Sequence, residues 1–216
     1  MQAAPTVLYL ARHGQSEWNN QGLVTGQLDP GLSAKGLQQS EALAQCLHGE
    51  TLAAIYASAL QRTTATAQPT ATRLGLGITQ LAALNEIHMG VLQGRQRDDT
   101  DPEAQALWQQ WQAAPWGPGV PGGESLAELT QRVDAVLQDL LQRHRGQRVL
   151  VVGHRATNRV LMGRLMGWPQ ERWPEIRLRN KFFYRIEPGA DGAPARIATC
   201  TLSGSKTGSW IEGFVM

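Results

Sequence analysis

Two histidines and two arginines of this chain follow strand-like segments, where they could act together on an anion. Arg12 and His13 come directly after an apolar run, and a glycine follows them. Arg62 lies four residues after Ser58, which ends a second run, and His154 ends a third. A neutral imidazole is a competent nucleophile toward phosphorus, and planar guanidinium groups can hold a phosphate dianion bidentately. These residue types therefore predict phosphoryl transfer.

Glu86 adds a carboxylic acid to this set, because it follows another strand-like segment, residues 78–84. If it is partly buried, it can protonate the leaving alkoxide and then activate a water. His154 can donate to the phosphate oxygens as charge develops on them. The helix after Ser58 would offer backbone N–H groups to the same anion. We therefore assign His13 as the nucleophile, with the other residues as its partners.

Each of these residues also has a purely structural interpretation. Arg62 could be an exposed helix arginine, Glu86 a loop carboxylate, and His154 the cap of the following helix. The case for a site depends on all of them falling at strand ends together. A metal site is not predicted, because His154 has no further ligand at close spacing and His13 has only Glu17, in a segment predicted to be a loop. A nucleotide-binding phosphate loop is not predicted either, since the glycines of residues 22–31 do not lead into a helix with Lys-Ser or Lys-Thr.

Alternating apolar runs and helical periodicities predict an α/β domain with a mainly parallel sheet. The carboxyl ends of parallel strands meet at one edge of the sheet, where ligands bind, so the five residues can converge. Residues 15–33 are predicted as a loop, Leu37 as core-facing, and Pro69 as a kink or end of its helix. The predicted strands are residues 6–11, 52–57, 78–84, 148–153, 181–187 and 195–202, and the predicted helices follow Ser33, Ser58, Ser125 and His154.

Size and composition indicate an ordinary globular protein. The 216 residues fit a single domain spanning 1–216, with 42% hydrophobic residues and a formal net charge of +2. That charge, without basic runs, argues against nucleic acid or a membrane surface as a partner. Cys46 and Cys200 lie in apolar periodic contexts and are interpreted as reduced core residues rather than a disulfide. The N-terminal run lacks the features of a signal peptide, so a cytoplasmic location is predicted.

Two segments are less regular than the rest. Residues 95–123 combine a run of acids, a short helical pattern and a proline- and glycine-rich end, and are predicted to be a lid or substrate-facing insertion. The three tryptophans at 108, 111 and 116 favour an apolar or ring-bearing leaving group, but packing of the short helix explains them equally well. The tail, residues 203–216, could be mobile or could fold over the pocket.

Five blocks of the sequence, in this order, resemble the histidine phosphatase superfamily, which includes cofactor-dependent phosphoglycerate mutases and many small phosphatases. The resemblance covers most of the chain. The strongest block runs from Leu10 to Asn19 and contains Arg-His-Gly. The other blocks are residues 25–26 with 32–36, the Ser-Ala-Leu-Gln-Arg-Thr of residues 58–63, Asn-Glu at 85–86 with 90–94, and Val-Gly-His at 152–154.

The resemblance implies both a fold and a set of roles. The fold is a three-layer α/β/α sandwich with a central, mostly parallel sheet, and neither a metal nor another cofactor is required. Gly14 is expected to let the backbone turn away beneath the nucleophile. The implied site comprises the nucleophile His13, the proton donor Glu86, the phosphate ligands Arg12, Arg62 and His154, and the further contacts Asn19, Thr25 and Gly26.

Two departures from the family pattern bear on the activity. Arg155 follows the second histidine where members often have glycine; it could be a third cation for an acidic substrate or a solvent-facing helix residue. Mutases of the family have a longer insertion whose basic residues grip the substrate carboxylate. Here Arg95 and Arg97 are followed mostly by acids, tryptophans, prolines and glycines. A mutase needs strong anchors and a closed lid, so the sequence favours a phosphatase.

The predicted protein is thus a phosphomonoesterase of the histidine acid phosphatase type that acts through a phosphohistidine on a small phosphorylated metabolite. Its partner would be a small-molecule phosphomonoester, with no nucleic acid and no membrane, and a homodimer is left open. A phosphoglycerate mutase and a non-catalytic protein that binds a phosphorylated ligand are the alternatives.

Overall fold

The computed structural model describes residues 5–189 and 193–215, which form a seven-stranded sheet with helices on both faces. The strands are β1 (Val7–Arg12), β2 (Ala54–Ser58), β3 (Ile78–Leu81), β4 (Arg148–Gly153), β5 (Phe182–Glu187), β6 (Arg196–Thr201) and β7 (Trp210–Glu212). The helices are α1 (Glu17–Gln21), α2 (Ala34–Cys46), α3 (Gln61–Leu74), α4 (Pro102–Ala113), α5 (Leu126–Arg143) and α6 (Arg155–Leu165). Short 3₁₀ turns cover Ala82–Leu84, Gly90–Leu92 and Gln170–Glu175.

The strand order is β3-β2-β4-β1-β5-β6-β7, and the first four strands are parallel. β5, β6 and β7 join antiparallel on the other side of β1. Arg12 and Gly153 are opposite each other in the register of β1 and β4, so the residues that follow them leave the sheet side by side. The predicted sandwich with a mostly parallel central sheet is confirmed.

The strands beside the site are buried on both faces, which explains their continuous apolar sequences. Side chains alternate along a strand, so consecutive residues of β1 pack in different layers. Tyr9 and Ala11 contact a cluster that includes Leu43 of α2 and Ala67 of α3. Leu8 and Leu10 contact the cluster formed with α5 and α6. β1 is therefore held from both sides and is a rigid support for the residues that follow it.

Helix α3 differs from the prediction at its start and in its middle. Leu60, and not Ser58, is the N-cap residue, and it makes no side-chain capping bond. Pro69 does not end the helix, which continues to Leu74. Proline lacks the N–H that would bind the carbonyl four residues earlier. Ser40 Oγ of α2 donates to that carbonyl, Ala65 O, at 3.1 Å, so the neighbouring helix compensates for the missing bond.

Four further details correct or extend the predictions. The predicted loop 15–33 contains α1, which Ser16 and Asn19 cap reciprocally. Leu37 of α2 is 55% exposed rather than core-facing. The third strand ends at Leu81, where a 3₁₀ turn begins. In the tail, β7 lies along β6 at the sheet edge away from the parallel strands.

The two cysteines lie close together and are not bonded. Cys200 of β6 is buried, Cys46 ends α2, and their Sγ atoms are 3.5 Å apart. None of the helices in the two described ranges is long and apolar enough to cross a membrane.

Candidate active site

A cavity at the carboxyl edge of the parallel strands brings the predicted site residues together. His154 does not line this cavity, but its ring centroid is 5.2 Å from that of His13. The cavity thus lies where the ends of β1, β2 and β4 meet. The predicted residues that line it are Arg12, His13, Asn19, Thr25, Gly26, Arg62, Glu86 and Arg155.

His13 is 3% exposed, and its protonation state follows from its contacts. Its Nδ1 atom is 2.7 Å from the carbonyl oxygen of Gly14. Because a carbonyl only accepts, Nδ1 has the hydrogen and Nε2 keeps its lone pair. Burial, together with the charges of Arg12 and Arg62, holds the pKa of His13 well below its usual 6.5. At neutral pH the imidazole is therefore uncharged and has the tautomer of a nucleophile.

Gly14 is required by a close approach rather than by a turn. Its φ is not in the left-handed region. A Cβ atom there would lie 2.5 Å from the carbonyl oxygen of Gly36 at the start of α2. Its N–H donates to Thr66 Oγ1 of α3 at 2.9 Å. The absence of a side chain lets α2 pack directly beneath the nucleophile, which corrects the expected role of this glycine.

The two arginines among the predicted phosphate ligands have N–H groups that are not used within the described structure. Arg62 is 1% exposed, and its Nη atoms donate to Leu28 O and Gly26 O at 2.7 Å each. The Nε atoms of Arg12 and Arg62 are buried and have no hydrogen-bond partner among the described residues. Burial lowers the pKa of Arg12 to about 10, which leaves it charged at neutral pH. Buried N–H groups of cations beside a cavity need an acceptor, and an anion would supply it.

A hydrogen bond to the last residue of β2 positions His154. It is fully buried, and its Nε2 atom is hydrogen-bonded to Ser58 Oγ at 2.7 Å. Ser58 also accepts from Leu60 N, so a single hydroxyl joins the end of β2 to the second histidine. Burial, then the charges of Arg62 and Arg12, lower the pKa of His154 well below its usual 6.5. His154 is the N-cap residue of α6, but its side chain makes no capping bond.

The Glu86 side chain caps α6 in place of the His154 side chain. Its Oε2 atom accepts from Arg155 N at 3.0 Å, and its Oε1 atom accepts from Ala156 N at 3.0 Å. A carboxylate at a helix N-terminus also interacts favourably with the helix dipole. Glu86 is half-buried and lines the cavity, so the same side chain that starts α6 faces the site of the predicted substrate.

Two residues that position the site were missed by sequence reasoning. Arg132 of α5 donates to the carbonyl oxygens of Ala83, Asn85 and Glu86 at 2.7, 2.8 and 3.2 Å. It thereby holds the segment that presents Glu86. In the sequence, Arg132 has no feature that distinguishes it from a surface arginine, because its partners are carbonyl oxygens of residues far away in the chain.

Asp29 is the second residue that was missed, and it corrects the expected role of α3. Its Oδ2 atom accepts from Gln61 N at 2.6 Å, and its Oδ1 atom accepts from Arg62 Nη1 at 3.2 Å. The N-terminus of α3 is therefore occupied by a carboxylate of the chain itself. It does not offer the Gln61 N–H to a phosphate, contrary to the prediction.

The outer wall of the cavity comes from the region predicted to be a lid or insertion. Trp108 and Trp111 of α4 line it, and the guanidinium of Arg97 lies 4.8 Å from the Trp108 ring centroid. Trp116 instead packs on Trp173, with ring centroids 5.8 Å apart. Arg95 is bound to Asp101 and Glu103 on the same segment, so two carboxylates already neutralise it. Of the two arginines singled out in this region, Arg97 is the one that lines the cavity.

The site has the composition of an anion-binding site. No group of three histidine, cysteine or acidic side chains with a metal-binding arrangement occurs within residues 5–189 and 193–215. The charges that act on His13 are those of Arg12 and Arg62, which suit a phosphate.

A mostly parallel sheet with two facing histidines and buried arginines at its carboxyl edge defines the phosphoglycerate mutase-like class of α/β proteins. The model of the histidine phosphatase superfamily (branch 1) matches residues 8–199, and the chain belongs to this superfamily.

Proteins similar to this chain are named as phosphatases or as a probable phosphoglycerate mutase. The chain is 36% identical over 180 residues to the probable phosphoglycerate mutase GpmB of Salmonella choleraesuis, covering 83% of this chain and 84% of that protein. The structure of the alpha-ribazole phosphatase from Shigella flexneri is similar, with a TM-score of 0.80, 26% identity, and coverage of 88% and 95%. The mycobacterial glucosyl-3-phosphoglycerate phosphatase has a TM-score of 0.74 and 27% identity, with coverage of 83% and 89%.

Proposed function

We propose that this protein hydrolyses phosphomonoesters of small metabolites through a phosphohistidine at His13. The main support is the contact of His13 Nδ1 with Gly14 O, which leaves Nε2 as a free nucleophile in a buried setting beside two arginines. Metal ions have no assigned role in this reaction, so turnover is expected to persist in excess chelator.

The first step forms the His13 Nε2–phosphorus bond and breaks the ester bond between phosphorus and the leaving oxygen. Arg12 and Arg62 hold the phosphate oxygens, and the alkoxide takes its proton from Glu86. His154 lies beside the nucleophile, where it can donate to the oxygens that gain charge. In the second step a water attacks phosphorus, Glu86 accepts its proton, and cleavage of the N–P bond restores His13.

The test is phosphate release from p-nitrophenyl phosphate. We expect His13→Ala to lower kcat/KM by at least about a thousandfold, because the nucleophile is removed. His48→Ala is the matched control, since His48 is an exposed histidine at the end of α2. Full activity of the His13→Ala enzyme would exclude the proposed mechanism.

The natural substrate is to be found with a panel of phosphomonoesters. The names of the relatives supply its first members: alpha-ribazole phosphate, glucosyl-3-phosphoglycerate and the phosphoglycerates. Trp108 and Trp111 favour members whose leaving group has an apolar or ring-bearing part.

Phosphoglycerate mutase activity is the second candidate, because a relative that is 36% identical has that name. It predicts interconversion of 2- and 3-phosphoglycerate that is stimulated by a bisphosphoglycerate primer. Hydrolysis without interconversion would exclude it. A non-catalytic protein that binds a phosphorylated ligand would instead bind phosphate tightly and turn over no member of the panel.

A further inference from the structure

A groove rich in arginine continues from the active-site cavity over the protein surface. It shares part of its lining with the cavity, so the two are joined rather than separate. We refer to it as the arginine groove, whose polar lining is Arg12, Gln112, Arg155, Arg159, Arg177 and Arg179.

The segment after α6 is built to present two of these arginines. Ile176 and Leu178 are buried, while Arg177 and Arg179 between and after them are exposed. This alternation is that of extended backbone, in which successive side chains point to opposite sides. Two other lining arginines hold the segment in place: Arg159 Nε donates to Ile176 O at 3.2 Å, and Arg12 Nη1 donates to Leu178 O at 3.3 Å.

The arginine groove holds a concentration of positive charge, which the charge of Glu86 offsets only in part at Arg12 and Arg159. None of its guanidinium groups forms an ion pair within 4.0 Å with a carboxylate of the described residues. Neighbouring arginines outside it are paired, Arg164 with Asp134 and Arg172 with Glu175. The repulsion is evident at Arg159, where burial first and then the charge of Arg155 lower the pKa to about 10. Cations grouped in this way have a higher energy unless an anion joins them.

We propose that the arginine groove binds a second anionic group of the substrate, so that the preferred substrates are phosphomonoesters with a further phosphate or carboxylate. This inference depends on the proposed function, since the cavity at His13 is taken as the site of the reacting phosphate. Guanidinium groups suit either anion, because their paired N–H groups match two of its oxygens. Arg12 and Arg155 line both sites and would face both anions.

The test uses phosphonates, because their C–P bond resists hydrolysis and binding can be measured on the wild-type protein. Titration calorimetry would compare propylphosphonate, 3-phosphonopropionate and propane-1,3-diphosphonate. We expect at least one of the two doubly anionic ligands to bind about tenfold more tightly than propylphosphonate, as one or two charge-assisted hydrogen bonds would give. Which of the two gains identifies a carboxylate or a second phosphate as the group recognised.

The affinity gain is expressed as the dissociation constant of propylphosphonate divided by that of the doubly anionic ligand. The variant Arg177→Gln/Arg179→Gln should lose most of this gain. Arg164→Gln/Arg172→Gln removes the same charge outside the arginine groove and should keep the wild-type ratio. Arg177→Lys and Arg179→Lys retain the charge without the guanidinium fork and provide a milder change if the double variant fails to fold.

The outcomes separate the two proposals. If propylphosphonate binds but neither doubly anionic analogue gains, or if the gain persists in Arg177→Gln/Arg179→Gln, the arginine groove is not a subsite and the phosphatase proposal is unaffected. If none of the three ligands binds the wild-type protein, the phosphate cavity itself is wrong and both proposals fall.

Discussion

At the scale of single residues, burial decides the chemistry of the two histidines. His13 and His154 lie side by side among Arg12 and Arg62, where a positive imidazole would be both desolvated and repelled. Keeping both rings neutral makes His13 a nucleophile at neutral pH. It also gives the folded state a measurable dependence on pH.

The free energy of unfolding should fall as the pH is lowered below 6.5, the usual pKa of histidine. In that range the unfolded chain takes up protons at His13 and His154, while the folded protein, with both pKa values well below 6.5, does not. Acid therefore stabilises the unfolded state, by up to about 1.4 kcal/mol per pH unit for each histidine. Urea unfolding at pH 7, 6 and 5.5 measures this slope.

A variant can assign part of that slope to one ring. His13→Asn should lower the slope of the unfolding free energy against pH by about the contribution of one histidine. His48→Asn, which changes an exposed histidine, should keep the wild-type slope. An unchanged slope in His13→Asn would mean that His13 is protonated in the folded protein.

The residues that could be found from the sequence are those whose position along a strand fixes their surroundings. Arg12, His13 and His154 directly follow buried strands, so a parallel sheet brings them to one edge whatever the details of packing. Arg132 and Asp29 could not be found in this way. Each acts through contacts with a segment far away in the chain, and no periodicity or local motif reports such contacts.

At the scale of elements, contacts between helices change the structure that a sequence segment would form alone. Pro69 should interrupt α3, yet α2 offers Ser40, whose Oγ atom donates to Ala65 O and to Thr66 O at 3.1 and 2.9 Å. The expectation that Pro69 could end its helix was wrong because the compensating donor belongs to another element. Contact with α2 therefore stabilises the interior of α3.

Ser40→Ala should lower the free energy of unfolding by about 1–2 kcal/mol, because two buried carbonyls lose a donor. In a Pro69→Ala background the loss should be smaller by about 0.5 kcal/mol or more, since the substitution restores a backbone N–H that can bind Ala65 O. Urea unfolding of the four proteins in this double-mutant cycle measures the coupling. Equal losses in both backgrounds would show that Ser40 does not compensate for the proline.

Helix α5 has a similar part in holding Glu86. Arg132→Met would remove one donor from each of three carbonyls of the 83–86 segment and the cationic partner from the carboxylate of Glu124. We expect a loss of about 3 kcal/mol of stability and at least a tenfold loss of kcat/KM on p-nitrophenyl phosphate, because Glu86 loses its fixed position. Denaturant unfolding and steady-state kinetics check the two parts separately.

The control for this prediction lies on the same helix. Arg143 forms an exposed pair with Asp139, so Arg143→Met should leave the free energy of unfolding close to that of the wild type and keep full activity. If Arg132→Met lost stability but retained kcat/KM, Arg132 would be a structural residue without a positioning role.

At the scale of the whole molecule, the site is assembled from the sheet edge and an outer wall contributed by α4. At the sheet edge the sequence resembles the family through its five blocks. In the outer wall it departs from the mutases of the family. Residues 95–123 have no strong periodicity to define their packing, so the sequence could not tell which tryptophan faces the substrate. In the structure Trp108 and Trp111 face the cavity, and Trp116 joins the core against Trp173.

The position of each tryptophan, at the cavity or in the core, predicts which of them affect selectivity for the leaving group. Trp108→Ala and Trp111→Ala should each raise KM for p-nitrophenyl phosphate about tenfold relative to KM for ethyl phosphate, because only the aryl group is large enough to bury against an indole ring. Trp210→Ala, which removes an exposed tryptophan on β7 at the far edge of the sheet, should leave both values unchanged. Steady-state kinetics with the two substrates gives the ratio directly. If the α4 variants raised both KM values equally, Trp108 and Trp111 would serve the packing of α4, and the leaving group would be selected elsewhere.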